Sequence, residues 1–355
     1  MTRQENDKPV VIRPGEEEEI HVNASTLASM IKRVREEPKL KMVYSGIKEK
    51  SVGLVFGPAK SGKTMYCENL GMSIAAGAKN YMGSPISIEN RRVLFISMEE
   101  HYSYRTERNE KQMARLVQRY GEDWLENYIV VNEHLPQYII TKDDWLYLAD
   151  MINELAPGIA FLDSLTRMYQ GVIEDSKVAI ELMKNLRWLS TATDTTIVAI
   201  HHTHKMYGQR LSIDNIAGSR VVAQEADFMI GLNRTPEGQK YIKEVAFRYA
   251  PTNDDTVRTY SISQDCWLDV TGQADEGKLL AASDGRKDDG NKNLLLDYLT
   301  QQKEADIEIV ALNDIVEYFA ANDGMTRTTV FNNLNKLLEE NLIIRFGKGA
   351  YSLVA

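Results

Sequence analysis

The 355-residue chain lacks the features that mark a membrane or a secreted protein. No apolar run approaches the roughly 18 residues needed to cross a bilayer. Met1 leads into polar residues with no apolar segment behind them, so we expect no secretory signal. The two cysteines, Cys67 and Cys266, are too few for a disulfide framework. These absences favour a cytoplasmic protein without a membrane partner.

The chain also lacks the positive charge that is typical of proteins that coat nucleic acid. Its formal net charge is -9 at pH 7, so any contact with DNA must come from local basic patches. Apolar residues at 43% and charged residues at 26% are typical of a globular protein. A chain of this length exceeds what one hydrophobic core usually organises, so we expect one large and one small domain.

Composition divides the chain into four parts. Residues 1–22 are polar, carry the acidic run Glu16–Glu19 and predict a flexible N-terminal arm. Residues 23–271 alternate short apolar runs with helical periodicity, which predicts an α/β domain with a mainly parallel sheet covered on both faces. Residues 272–292 place four glycines in a charged stretch and predict a linker to a domain of residues 293–355. The predicted strands are Val52–Phe56, Val93–Met98, Tyr128–Val131, Ile159–Leu162, Thr196–Ile200 and Phe228–Leu232.

The C-terminal part has the pattern of a winged helix. Apolar residues recur at helical spacing from Leu312 to Phe319 and again from Val330 to Leu338, and two short strands then flank a glycine turn. The second helix is the candidate recognition helix. Residues 291–355 hold 6 basic and 9 acidic residues, a net of -3, so DNA binding and a protein-packing role both remain open. The candidate DNA contacts here are Arg327 and Lys336 on the helix and Arg345 and Lys348 on the wing, and the polar residues expected on the exposed side of the helix also include Asn332, Asn333 and Asn335.

A phosphate-binding loop follows the first predicted strand. The residues Gly57, Pro58, Ala59, Lys60, Ser61, Gly62, Lys63 and Thr64 fit the pattern G-x-x-x-x-G-K-[ST] and precede the helical run Met65–Ala78. Backbone N–H groups and the helix N-terminus of such a P-loop surround phosphates, Lys63 reaches the β- and γ-phosphates, and the Thr64 hydroxyl ligates Mg²⁺. The loop therefore predicts ATP and Mg²⁺ as ligands, against the alternative of a glycine-rich turn without a ligand.

Two further carboxylates follow apolar strands. Asp163 ends Ile159–Asp163, where an aspartate holds the Mg²⁺ coordination sphere through water, although it could instead cap the next turn. Ser164 comes next, so the group that orients the attacking water must lie elsewhere. Glu99, which follows Val93–Met98, is the candidate for that role. The alternatives are that Glu100 takes this role, or that the two form a solvated acidic pair.

Three histidines follow the strand Thr196–Ile200, within His201–His204. A metal site is disfavoured because consecutive side chains of a strand point to opposite faces, and no cysteine or carboxylate pair is placed to complete it. We interpret the cluster as a γ-phosphate sensor, with His202 in that role, against the alternative of buried, satisfied histidines. Lys205 begins a loop that could instead contact DNA.

Together these segments resemble the RecA-like ATPases, and among them the RepA-like and DnaB-like hexameric helicases. The resemblance rests on the P-loop, Phe95–Glu99, the strand ending in Asp163–Ser164, and Val198–Lys205, in that order, and it covers roughly residues 40–270. It implies a RecA-like ATPase core that assembles into a ring, with ATP bound between subunits.

The resemblance also implies that an arginine reaches the nucleotide of the neighbouring subunit. Arg220, after Gly218–Ser219, and Arg248, in Phe247–Pro251, are the candidates, with Arg210 less favoured. Each could equally be a surface arginine. The loops 166–177 and 203–217 would face a central channel, and the second would offer Lys205, Tyr207 and Arg210 to single-stranded DNA.

The expected function is that of a DNA-stimulated ATPase, a translocase or helicase in the replication of a plasmid, phage or mobile element. Its expected partners are further copies of the chain in a hexamer, single-stranded or duplex DNA, and replication or mobile-element proteins. Two alternatives remain open. One is a recombination or loading ATPase without unwinding activity, and the other is an ATP-gated transcription regulator in which the winged helix is the effector.

Overall fold

The computed structural model describes residues 10–11, 20–21, 24–132, 135–203, 206, 209–216, 220–252, 255–305, 307–322, 324–347 and 349–354. Of these, the side chains of residues 10, 11, 20, 21, 282–290 and 304 are not described. Most of the predicted N-terminal arm, including Glu16–Glu19, therefore lies outside the described residues. Within the described part of the chain, no helix combines the length and apolar composition that crossing a bilayer requires.

Helices separate most of the strands between residues 52 and 234, and the strands described between residues 240 and 275 follow one another directly. The strands are β1 Val10–Val11, β2 Ile20–His21, β3 Met42–Tyr44, β4 Ile47–Lys48, β5 Val52–Gly57, β6 Asn80–Tyr81, β7 Ser84–Pro85, β8 Val93–Ser97, β9 Tyr128–Val130, β10 Ile159–Asp163, β11 Thr196–His202, β12 Phe228–Arg234, β13 Lys240–Phe247, β14 Thr256–Ile262, β15 Leu268–Asp275, β16 Val310–Ala311, β17 Ile343–Phe346 and β18 Ala350–Leu353. The α-helices are α1 Leu27–Glu36, α2 Lys63–Ala75, α3 Tyr102–Tyr120, α4 Lys142–Leu155, α5 Ser176–Thr193, α6 Arg220–Glu225, α7 Glu276–Glu304, α8 Leu312–Asn322 and α9 Arg327–Glu339.

A nine-stranded sheet in the order β15-β14-β13-β12-β5-β11-β10-β8-β9 forms the centre of the molecule. The six strands from β12 to β9 run parallel, and they are the six that the apolar runs predict. The expectation of a mixed α/β fold with a mainly parallel sheet is therefore confirmed. Because the strands are parallel, the carboxyl ends of β5, β11, β10 and β8 meet at one edge.

Both faces of the parallel part are covered, which explains its continuous apolar runs. Every residue of β5, β8 and β10 is buried. One core lies under α4 and α5 and includes Leu94, Leu148 and Leu182, whereas the other lies under α2 and includes Phe95 and Leu70. Successive residues of β8 thus belong to opposite cores, as the pleat of a strand requires.

The antiparallel strands β13, β14 and β15 extend the sheet beyond β12, and the sequence analysis did not predict them. Each pairs with the strand that precedes it in the chain, so they add a meander to the parallel core. Side chains of β14 reach the edge of the sheet where β5 ends.

The glycines of the predicted linker 272–292 favour a loop, but the segment forms regular secondary structure. It contains the end of β15 and the first part of α7. Asp275 caps α7 by accepting a hydrogen bond from the Lys278 N–H at 2.8 Å. Leu280 is buried near the start of the helix and Leu295 towards its end. Each glycine costs a helix only about 1 kcal/mol, so a cap and buried contacts in both halves outweigh them.

The last part of the chain forms its own core around Leu295, Phe319, Val330 and Tyr351. It contains α8, α9 and a three-stranded antiparallel sheet in the order β16-β18-β17. Helices and hairpin lie where the pattern predicts them, and the winged-helix assignment itself stays a prediction. One detail was wrong: Asn333 is buried in α9, where it donates to the Thr329 carbonyl at 2.9 Å.

Candidate functional site

The P-loop connects the carboxyl end of β5 to the first residue of α2, Lys63. Gly57 and Gly62 have φ angles of 156° and 97°, a region that side chains with a Cβ rarely adopt. A Cβ at Gly57 would also lie 2.0 Å from the Leu232 carbonyl oxygen. The two glycines therefore allow a backbone path that other residues could not follow at these positions.

Lys63 is buried inside the loop that it closes. Its ammonium group donates to the carbonyl oxygens of Gly57 and Pro58, at 2.9 Å each. Burial lowers the pKa of Lys63 to about 8, and the nearby carboxylates of Asp163 and Glu99 only partly oppose this. The ammonium group is thus held in the P-loop by weak neutral acceptors, which phosphate oxygens would outcompete.

Thr64 and Asp163 are brought together because β5, which leads into α2, and β10 end at the same edge of the sheet on either side of β11. The Thr64 hydroxyl donates to Oδ2 of Asp163 at 2.8 Å. Asp163 is the last residue of β10 and is buried. Burial raises the pKa of Asp163 to about 7, and the negative charge of Glu99 adds to the effect while the Thr64 hydrogen bond opposes it. A divalent cation here would relieve this buried carboxylate.

Glu99 and Glu100 have different surroundings. Oε1 of Glu99 accepts hydrogen bonds from the Ser164 hydroxyl and, at 2.7 Å, from the Thr166 hydroxyl. Burial raises the pKa of Glu99, but these two hydrogen bonds and the positive charges of His202 and Arg167 together outweigh it, so the pKa lies below the ordinary value. Glu100 instead forms an ion pair with Arg108, whose Nη1 donates to its carboxylate at 2.7 Å. Glu99 therefore lies beside the residue that follows Asp163, whereas Glu100 is occupied by an ion pair.

His202 ends β11 opposite Gly57 in the strand register. Burial lowers the pKa of His202, the positive charge of Lys63 lowers it further, and Glu99 opposes both effects. The His202 imidazole thus lies close enough to Lys63 and Glu99 to feel their charges, and the lowered pKa favours its neutral form. Among the residues that the structure describes, no group of three His, Cys, Asp or Glu side chains is arranged to hold a metal ion.

The donor set of the loop fits a nucleotide with Mg²⁺. The Ser61 hydroxyl is fully buried and has no hydrogen-bond partner among the described residues. Thr64 and Asp163 supply the hard oxygen ligands that Mg²⁺ prefers, the latter through water. These two residues would hold Mg²⁺, which would neutralise phosphate charge, while Lys63 and the N–H groups of the loop would hold the phosphates.

The structure adds two residues that sequence reasoning missed at this site. The hydroxyl of Tyr260 in β14 donates to the carbonyl of Ser61, and Ile262 lies against Gly62. No motif marks them, and the only signal is the content of β-branched and aromatic residues in 256–262. They support the P-loop from the antiparallel part of the sheet.

The two candidate trans arginines differ in how they are held. The side chain of Arg220 is 86% exposed and lies 3.8 Å from a carboxylate oxygen of Asp214. The side chain of Arg248 is 47% exposed, and its Nε lies 3.3 Å from the buried Asp227. The Asp227 N–H donates to the carbonyl of Val52, the first residue of β5, at 2.7 Å. Arg248 therefore lies at the opposite edge of the sheet from its own P-loop.

The candidate DNA-binding residues are spread over several elements. The Arg210 guanidinium lies against Gly277 at the start of α7, since a Cβ on that glycine would be 1.9 Å from its Nη2. Arg327 donates to Asn313 at 3.1 Å, and the guanidinium of Arg345 lies 5.9 Å from the ring centre of Tyr351. Lys336 is exposed on α9. The predicted DNA contacts Lys205, Tyr207 and Lys348 lie outside the described residues, as does the pair Gly218–Ser219.

Comparison with known proteins identifies the first part of the chain. A family model described as an AAA domain matches residues 16–207, more than half of the chain. The match contains the P-loop, Glu99, Asp163 and His202. A comparison with curated proteins gives no match. Since the match ends at residue 207, it does not bear on Arg220, Arg248 or the C-terminal module.

Proposed function

The chain belongs to the AAA-domain family of P-loop ATPases, and from this premise we propose that it is an ATP-dependent DNA translocase or helicase. In this proposal it acts as a ring, a hexamer, in the replication of a plasmid, phage or mobile element. Energy comes from ATP hydrolysis at sites shared between neighbouring copies.

The proposal of hydrolysis depends on one observation: the carboxyl ends of four parallel strands bring five side chains of complementary chemistry to one edge. Lys63 and the N-terminus of α2 bind the phosphates, and Thr64 and Asp163 support Mg²⁺. Glu99, held by two hydroxyl groups, orients the attacking water, and His202 reports the state of the γ-phosphate. ATP bound here would face a base, a cation and a sensor.

A shared site is proposed because one subunit supplies little positive charge. The γ-phosphoryl group spreads negative charge over its oxygens as it transfers, and Lys63 is the buried cation of this loop. A second cation would come from the neighbouring copy, with Arg220 favoured because its side chain is 86% exposed. A contact that repeats head to tail closes into a ring when the rotation from one copy to the next permits.

Helix α1 supports assembly with further copies of this chain. Its residues Leu27, Met30, Ile31 and Val34 share one face, and each is at least 40% exposed. None of the ten residues of this fully described helix is buried. An amphipathic helix that leaves its apolar stripe in water is typical of a protein interface. The proposed occupant of this face is a neighbouring copy.

The test is the ATPase rate of the full chain with and without single-stranded DNA, together with its mass in the presence of nucleotide. We expect stimulation by DNA and a mass near six times the 40.3 kDa of one chain. A DNA-independent rate from a monomer would overturn the proposal. Hydrolysis and ring assembly without strand displacement would favour a recombination or loading ATPase, and sequence-specific duplex binding would favour the transcription regulator.

A further inference from the structure

The segment 209–216 folds back onto the strand that ends at His202. Thr203, the next residue, pairs with Ile216 in an antiparallel bridge. Within the segment, Oδ1 of Asn215 accepts the Ser212 N–H at 2.5 Å, and the Asn215 N–H donates to the Ser212 carbonyl at 3.2 Å. Residues 212–216 thus form a tight turn whose end is bonded directly beside the proposed phosphate sensor.

A buried ion pair binds this segment at Leu211. Oε1 of Glu276 accepts the Leu211 N–H at 2.7 Å, and the Lys243 ammonium donates to the Leu211 carbonyl at 2.9 Å. The same ammonium donates to Oε2 of Glu276 at 2.6 Å, and the Tyr241 hydroxyl donates to Oε1 at 3.0 Å. Glu276 is 1% exposed and Lys243 is 8% exposed. Both backbone polar groups of Leu211 are therefore bonded to the ion pair.

The two residues before Leu211 are also held by other elements. The Gln209 carbonyl accepts a hydrogen bond from the side chain of Asn233 at 3.2 Å. The Arg210 guanidinium lies against Gly277, the residue after Glu276. Residues 209–211 therefore have contacts with β12, with β13 and with the first two residues of α7.

Burying such an ion pair adds little net stability to a fold. Two charges lose their water, and their attraction repays this only when the geometry is good and the remaining hydrogen-bonding atoms are satisfied. Apolar side chains would stabilise the same volume without that cost. What the ion pair adds is a defined position for Leu211 relative to Glu276, because hydrogen bonds have a direction and apolar contacts do not.

Helix α7 continues from Glu276 into the C-terminal core, where Leu295 and Leu299 are buried. We infer that Glu276 is a positioning residue that couples the nucleotide site to the C-terminal module. When a bound nucleotide displaces the His202 end of β11, the Thr203–Ile216 bridge moves the segment 209–216, and the Leu211–Glu276 contact moves α7 with it. This inference rests on the proposed function for its nucleotide-driven step.

The test measures hydrogen–deuterium exchange of the full chain with Mg²⁺, with and without a slowly hydrolysed ATP analogue. In the wild type we expect the analogue to change the rate of amide exchange about tenfold, both in residues 209–216 and in residues 276–281. The double variant Lys243→Met with Glu276→Met removes both the ion pair and the acceptor of the Leu211 N–H, without leaving either charge buried alone. There the change in 209–216 should persist, and the change in 276–281 should vanish. Arg115→Gln, which breaks an ion pair of α3 with Asp265 and Asp269, is the control and should behave as the wild type.

If Glu276 has only a structural role, the double variant will melt at a lower temperature, but the analogue will still change exchange in both segments. That result would overturn the inference. So would a wild type in which the analogue binds but only one segment responds. If the double variant does not fold, Glu276→Asp keeps the charge beside Lys243 while withdrawing it from Leu211, and the same loss of transfer is expected. A separate measurement of analogue binding distinguishes these outcomes from failure of the proposed function, in which no analogue binds.

Discussion

Lys63 is a lysine whose ammonium group is held by the carbonyl oxygens of its own loop. We expect Lys63→Ala to abolish hydrolysis and to weaken binding of a fluorescent ATP analogue by roughly 10- to 100-fold. The reason is that hydrogen bonds to charged groups contribute about 1.5–3 kcal/mol each. Lys60, exposed in the same loop, provides the control, and Lys60→Asn should bind and hydrolyse ATP normally. Unchanged turnover in Lys63→Ala would refute the assignment of the site.

The lowered pKa of Lys63 also predicts how stability depends on pH in the nucleotide-free protein. The pKa of Lys63 is about 8 in the folded state and 10.5 in the unfolded chain. Between these pH values the unfolded chain therefore holds more protons than the folded protein. Stability due to this group therefore rises with pH across that window and is constant below it. Relative to Lys63→Met, the wild type should gain up to about 3 kcal/mol between pH 8 and pH 10.5. Urea unfolding at several pH values measures this, and equal pH profiles would contradict it.

Glu99 and Glu100 are adjacent, yet we expect their substitutions to behave differently. Glu99→Gln should bind ATP as the wild type does and lose kcat by about 10²- to 10⁴-fold, because an amide cannot polarise the attacking water. Glu100→Gln weakens the ion pair with Arg108, so it should mainly lower the melting temperature. Single-turnover hydrolysis and thermal unfolding of both variants test this. The reverse result would move the catalytic role to Glu100.

At the scale of elements, the exposed apolar face of α1 predicts a variant that separates assembly from nucleotide binding. Met30→Glu with Val34→Glu places two charges one turn apart on that face. We expect a monomeric mass in the presence of ATP, with analogue binding and far-ultraviolet circular dichroism unchanged. The control is Lys32→Gln, on the polar face of the same helix. If the double variant keeps the wild-type mass, α1 is not part of the assembly interface.

For the whole molecule, hydrolysis in trans predicts that two inactive variants restore activity when mixed. Lys63→Ala lacks a working P-loop, and Arg220→Ala lacks the proposed trans cation. In a mixed ring, some sites pair an intact P-loop with an intact arginine, so partial ATPase activity should return. Arg248 is bonded to Asp227 and Gln224 within its own chain, so its substitution is the comparison.

Recovery with Arg248→Ala in place of Arg220→Ala would assign the trans cation to Arg248. No recovery with either variant, together with a monomeric mass in ATP, would eliminate hydrolysis in trans and with it the ring helicase. Neither the ATPase rate nor the mass depends on whether the protein unwinds DNA.

The sequence by itself determined the parallel sheet and brought together the residues of the candidate phosphate site. Strands buried on both faces are continuous apolar runs, which is why all six parallel strands could be predicted. Asp163 ends one such strand, His202 follows the predicted end of another, and Glu99 follows a third. Parallel strands place their carboxyl ends at one edge, so the local pattern was enough to bring these residues to the P-loop.

Only the tertiary structure decided which groups support that site. Tyr260 bonds the P-loop from 199 positions away in the sequence, and Glu276 meets Leu211 from 65 positions away. Arg108, whose ion pair distinguishes the surroundings of Glu100 from those of Glu99, also bonds to Glu68 on another helix. Such contacts have no period and no local motif, because they depend on how elements pack and which backbone groups remain to be bonded. For the same reason, helix α7 forms across a glycine-rich segment: a cap and buried contacts at distant positions outweigh what local composition favours.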